Sequence, residues 1–201
     1  MKTLRKWIVL PALLVSAVLS AQEVKSIPVS MDDFLAVLDM SGYSFYSFDL
    51  SAFSGKNGKV DIVCQTWEDQ KLVSETSLTS FPGRSVRTMT VAVVPAQEDS
   101  LARLTINVPG ETSLTRFLNR KPLLDGRFYY FSRPFKAVSP DLKKPGFIPI
   151  LLYGSGWIAR ILDAPTTINV LFEKEIDPAQ ASDRLKYCPH YYILGLRYET
   201  K

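Results

Sequence analysis

Cys188 and His190 stand two positions apart, and a thiol beside an imidazole could form a nucleophile–base dyad. Residues i and i+2 share one face of a strand, so the spacing allows it. The chain has a single His, which any catalytic triad would have to use. That same face continues through Tyr192, Leu194, Leu196 and Tyr198, which is the pattern of a core stripe. The expectation is therefore a packed, hydrogen-bonded His190, with a small Cys188/His190 hydrolase as the third functional reading. The sequence has no G-x-S-x-G, S-x-x-K or H-E-x-x-H motif.

Gly154-Ser155-Gly156-Trp157-Ile158-Ala159 fits G-x-G-x-x-A, and Glu173 follows at a distance that suits a dinucleotide fingerprint. A crossover helix would have to fit between Trp157 and Asp163, whereas parallel strands need about a dozen residues of connection. The expected structure is instead a glycine-rich hairpin turn between strands at 147–153 and 157–162. Acidic neighbours at Asp32/Asp33, Glu68/Asp69 and Glu98/Asp99 fall at a helix start and at two turns, where carboxylates cap or solvate. They do not make a glycosidase pair, which needs two carboxyls facing across a cleft.

Cys64 and Cys188 are the only cysteines. Either they join in one disulfide, stabilising by about 4 kcal/mol through closure of a long loop, or they are two separately buried thiols. They lack C-x-x-C spacing and have one His to assist them, so no metal site is expected, and no cofactor.

Aromatic residues carry the most suggestive pattern. Tyr43, Phe45, Tyr46 and Phe48 crowd one candidate strand, and Phe128 to Phe131 with Phe135 crowd another. Aromatics on both faces of a strand imply either two covering layers or an exposed binding surface. Trp67, Trp157, Tyr129 and Tyr191 are the candidate ligand-binding residues, as stacking platforms for the flat faces of sugars.

These residues need elements to position them. Residues 1–21 read as a secretory signal: Lys2, Arg5 and Lys6, then thirteen apolar-rich residues from Trp7 to Leu19, then Ser20-Ala21. A span across a membrane takes about 20 apolar residues, so this stretch is short for a permanent anchor. Its removal after Ala21 discards three cations and no acid, and the net charge falls from +4 to +1. Nucleic-acid binding is then disfavoured, because no basic run or patch remains; Arg116/Arg120/Lys121 and Lys143-Lys144 read as solvated faces.

After an extended leader at 22–29, Ser30-Met31-Asp32-Asp33 resembles a capping box opening a helix over 31–40, with Phe34, Leu35, Val37 and Leu38 on its apolar face. Strands are expected at 43–50, 60–67, 71–78, 86–94, 102–108, 127–136, 147–153, 157–162, 166–174 and 190–199. Two more short helices are expected, one carrying Leu114, Phe117 and Leu118 and one over Ala179–Lys186 behind Asp177-Pro178. Ten short strands and few helices predict a mainly β chain: an antiparallel β-sandwich or open barrel with two or three short helices, in one domain over 22–201. Phe147–Tyr153, nearly continuous and interrupted by Pro149, argues against a membrane barrel.

The Ala21-Gln22 junction, the Ile27–Phe34 entry and the aromatic strand Tyr43–Phe48 together resemble small exported bacterial proteins grouped as families of unknown function. That resemblance transfers no catalytic or binding residue. The leading reading is a non-catalytic exported domain (periplasmic, surface-bound or secreted) that binds a macromolecular partner or assembles at the cell envelope. A carbohydrate-binding module using the exposed aromatics is the second reading.

Overall fold

The computed structural model describes residues 30–54, 58–83, 86–95, 98, 100–139, 141, 144–159 and 167–200. The expected signal at 1–21 and leader at 22–29 lie outside the described residues. A helix α1 (Met31–Met40) opens the described chain. Strands follow: β1 (Ser44–Asp49), β2 (Gly58–Glu68), β3 (Lys71–Pro82), β4 (Thr88–Pro95), β5 (Leu101–Val108) and β6 (Thr112–Asn119). Next come β7 (Tyr130–Pro134), β8 (Gly146–Ser155), β9 (Trp157–Ala159) and β10 (Thr167–Asn169). A short helix α2 (Ala181–Leu185) and the long strand β11 (His190–Thr200) complete it.

The strands form two main antiparallel sheets. One has the order β1-β4-β5-β6, the other β3-β2-β11-β8-β7, and β9 and β10 pair as a separate ribbon. The sheets pack face to face over a core in which Val91, Leu104 and Ile106 of the first meet Ile62, Leu194 and Leu196 of the second. This is a β-sandwich with neither sheet closed into a barrel.

Strand β11 feeds two cores at once. Tyr192, Leu194, Leu196 and Tyr198 point between the sheets, as their period-2 spacing requires. Tyr191 and Ile193 point the other way, into a second cluster with Phe131, Leu152, Leu171, Ile176, Leu185 and Cys188. The segment from Val170 to Cys188 therefore forms a lid over the outer face of the five-stranded sheet. Asp177 starts that lid's helical part as expected: its carboxylate accepts the Ala179 N–H at 3.0 Å, with Pro178 at the first turn. A two-residue turn joins β2 to β3, with φ of 45° at Asp69 and 65° at Gln70. Two positive φ values are the signature of the tight hairpin turn whose twist suits paired strands.

Three local expectations are corrected. Residues 112–119 form strand β6 rather than a helix. Leu114 and Leu118, four apart, share a face under either periodicity, and they pair opposite Ile106 and Ala102 of β5. Phe117, which a helix would have buried beside them, is 60% exposed on the far face. The strand at 166–174 shrinks to β10, and Val170–Glu173 leave the ribbon to cross the sheet.

The third correction concerns Gly154-Ser155-Gly156, which make no hairpin turn: β8 runs through Ser155, and β9 leaves to pair with β10. A Cβ on Gly156 would stand 2.8 Å from the Ile168 side chain and 3.0 Å from Asn169 O, so this glycine allows the ribbon to approach. Helix α1 forms where expected, yet Phe34, Leu35 and Val37 remain exposed.

Leu196, 1% exposed at the centre of the inter-sheet core, should be costly to truncate. We expect Leu196→Ala to lower unfolding free energy by about 2–5 kcal/mol in denaturant titration. Leu124→Ala, at a site 95% exposed, should change it by less than about 0.5 kcal/mol.

Candidate functional site

Cys188 and His190 do not meet as a dyad. Cys188 precedes β11 and packs in the outer cluster, where its thiol lies 3.0 Å from Ser155 O and 3.5 Å from the His190 carbonyl. The imidazole contacts Tyr192 and Tyr130, edge-on to both rings. Burial pushes the Cys188 thiol up to about 11, the opposite of what a thiolate nucleophile needs. Cys64 is likewise pushed up to about 11 by burial. Both cysteines are free, Cys64 in the inter-sheet core and Cys188 in the outer cluster, so the structure contains no Cys64–Cys188 bridge.

His190 is held by a hydrogen-bonded chain. The Lys121 backbone N–H donates to Tyr130 Oη at 2.8 Å, and the same hydroxyl lies 2.5 Å from His190 Nδ1. Burial is the main cause that pushes the His190 pKa down to about 4, helped by the Lys121 ammonium and opposed by Glu68. Glu68 pairs with Lys121 at 2.6 Å at the rim of this cluster. Tyr192 Oη donates to Asn119 O at 2.8 Å, tying β11 to the end of β6.

The four aromatic candidates separate. Tyr191 is 4% exposed and stacks on the half-buried Trp67, with ring centroids 5.8 Å apart and planes 8° apart. A buried ring offers no face to a ligand, so Tyr191 is a core residue and Trp67 its cover. Tyr129, 46% exposed, sits beside the cavity between β1 and β7. Trp157 lines a 470 Å³ groove on the outer side of the five-stranded sheet.

Two aromatics that the sequence reading did not single out complete that groove. Tyr187 stacks on Trp157 at 6.0 Å and is 59% exposed, while Phe172 is 86% exposed. Asn169, Gln180 and the Arg184–Glu173 ion pair (3.1 Å) provide polar groups around them. The missed signal was a Phe placed in a predicted strand and a Tyr just past a predicted helix end, with no periodicity to expose either. Among the described residues, no three His, Cys, Asp or Glu side chains converge as a metal site. Of the acidic pairs, Asp32/Asp33 open α1 and Glu68/Asp69 fall at the β2–β3 turn, whereas Asp99 lies outside the described residues.

Sequence comparison assigns the chain to a family without supplying a chemistry. The family described as Domain of unknown function (DUF5041) matches residues 13–85 and 82–200. The chain belongs to this family. No curated protein and no solved structure matches it. On this DUF5041 member the Trp157 groove sets the exposed Phe172 and Tyr187 beside polar side chains.

The depressed His190 pKa has a defined sign. Below pH 6.5 the unfolded chain binds a proton that the folded chain refuses, so stability is full above that pH and falls as pH drops toward about 4. Denaturant titrations from pH 7 to 4.5 should show this loss in the wild type and a flatter profile in His190→Gln. Equal slopes would show that the imidazole is not held neutral.

Proposed function

We propose that the protein is a non-catalytic, exported domain that binds a macromolecular partner, a protein of the cell envelope or surface, through the Trp157 groove. The observation that carries this is Phe172, a large apolar ring 86% exposed at the mouth of a groove floored by Trp157 and flanked by Tyr187 and Arg184. Trp, Tyr and Arg around an apolar anchor are the residues that dominate binding energy at protein interfaces. Export is supported by the basic-then-apolar start of the chain. Among the described residues no helix is long and apolar enough to cross a membrane.

Carbohydrate binding is the second reading, favoured by the amides of Asn169 and Gln180 next to Trp157. Tyr187 counts against it as a platform. Its ring has Trp157 stacked on it and the Lys186 ammonium 5.0 Å from its centroid.

A photo-crosslinking residue at position 172 tests the reading in living cells. We expect discrete protein adducts at 172 and none at position 124, with no thermal shift across an oligosaccharide panel. Saturable stabilisation by one sugar class, lost in Trp157→Ala, would replace the partner reading with the carbohydrate one. N-terminal sequencing of the accumulated protein should begin at Gln22; retention of Met1 or Lys2 would remove export from the proposal.

A further inference from the structure

Strands β1 and β7 are the last strands of their respective sheets and face each other along one side of the sandwich. Two cavities lie end to end between them. The first, of 260 Å³, is lined by Ser44 and Tyr46 of β1, Tyr130 and Ser132 of β7, and Arg120. The second, of 380 Å³, begins at Tyr46 and runs past Phe48, Phe53, Phe135, Val138 and Ile148. Tyr46 lines both, and its hydroxyl lies 2.9 Å from Ser132 Oγ.

The two halves differ in chemistry. At the first, the Arg120 guanidinium lies over the rings of Phe128 and Tyr130, 5.7 and 5.1 Å from their centroids. Its side chain makes one hydrogen bond, Nη2 to Phe128 O at 3.1 Å, and Nε is buried without a partner. Arg133, in the same lining, directs its donors to the carbonyls of Ser132, Leu171 and Glu173. Among the described residues neither arginine forms an ion pair. Asp39 contributes the one carboxylate of this lining against two guanidiniums. A partly buried cation that makes no ion pair favours an anion, and the planar fork of Arg suits a carboxylate. The second half sets aromatic and aliphatic side chains, where a hydrocarbon chain leaves water, beside the charged Asp49, Lys136 and Glu175.

We propose that this slot binds an anionic amphiphile of the fatty-acid type, with its carboxylate at Arg120 and its hydrocarbon tail along Phe48, Phe135 and Val138. The two ring contacts hold the guanidinium in place and leave donors for the carboxylate. The hydroxyls of Ser44, Tyr46 and Ser132 line the wall beside it. The site is distinct from the Trp157 groove and does not depend on the reading given to that groove.

Calorimetric titration of the purified protein at low salt with decanoate, 1-decanol and acetate tests the assignment. We expect one saturable site for decanoate, at least tenfold tighter than for either control, because only decanoate carries both the charge and the tail. Arg120→Gln should weaken decanoate to the level of 1-decanol. Val138→Asp, at a position 43% exposed, should weaken decanoate tenfold or more by setting a hydrated carboxylate against the apolar tail. Absence of saturable decanoate binding, equal affinity for 1-decanol, or unchanged affinity in Val138→Asp would each overturn the proposal. If Arg120→Gln does not fold, the acid–alcohol difference and Val138→Asp decide the matter.

Discussion

The two-sided burial of β11 is the constraint from which most of this structure follows. The strand sits third in the five-stranded sheet, paired with β2 on one side and β8 on the other. Alternation then sends Tyr192, Leu194 and Leu196 into one core and Tyr191 and Ile193 into another. The second core exists only if something covers it, so the chain from Val170 to Cys188 must lie across the outer face. Gly195 marks the tightest point: a Cβ there would meet the Phe147 ring and stand 2.8 Å from Ile148 O, and the pairing with β8 shifts register beside it. A bulge and a missing side chain are how the sheet accommodates a large neighbouring ring.

Burial of so many tyrosines imposes a second requirement, because a hydroxyl taken out of water without a partner costs several kcal/mol. Each buried hydroxyl with a visible partner here ties two separate elements. Tyr46 meets Ser132 across the open side, Tyr192 reaches the end of β6, and Tyr130 bridges the Lys121 backbone to His190. Desolvation raises the Tyr130 and Tyr192 phenol pKa values, Tyr192 to about 12, so both stay protonated across the physiological range. The same desolvation holds His190 neutral and keeps the Cys188 thiol protonated. One physical cause thus converts each residue with apparent chemical potential in this cluster into a structural group.

The strands were legible where one periodicity dominated. β2, β5 and β11 lie within a few residues of their expected ranges because runs of β-branched, aromatic and aliphatic residues mark them. The core stripe through Tyr192, Leu194, Leu196 and Tyr198 was legible for the same reason. β6 was not, because Leu114 and Leu118 satisfy a helix and a strand equally, and pairing with β5 made the choice. Gly156 misled because glycine serves close packing as well as turns, and the sequence does not name the neighbour that approaches. The Trp157 groove was half legible. Trp157 stood out by type, but Phe172 and Tyr187 reach it only through the path of the lid, which no local pattern encodes. Arg120 was read as part of a solvated face because the rings of Phe128 and Tyr130 come from a later loop and strand.

The lid also joins the two surfaces on which function can act. Arg133 of β7 donates to Leu171 O at 3.2 Å and Glu173 O at 2.9 Å, and those residues form one wall of the Trp157 groove. Val170 lines both that groove and the Arg120 cavity. These hydrogen bonds tie the groove wall to the sheet edge at β7. The chain that covers the outer core is the same chain that Arg133 pins to the sheet edge. The architecture that hides Tyr191 and Cys188 from solvent is what places Phe172 at the surface.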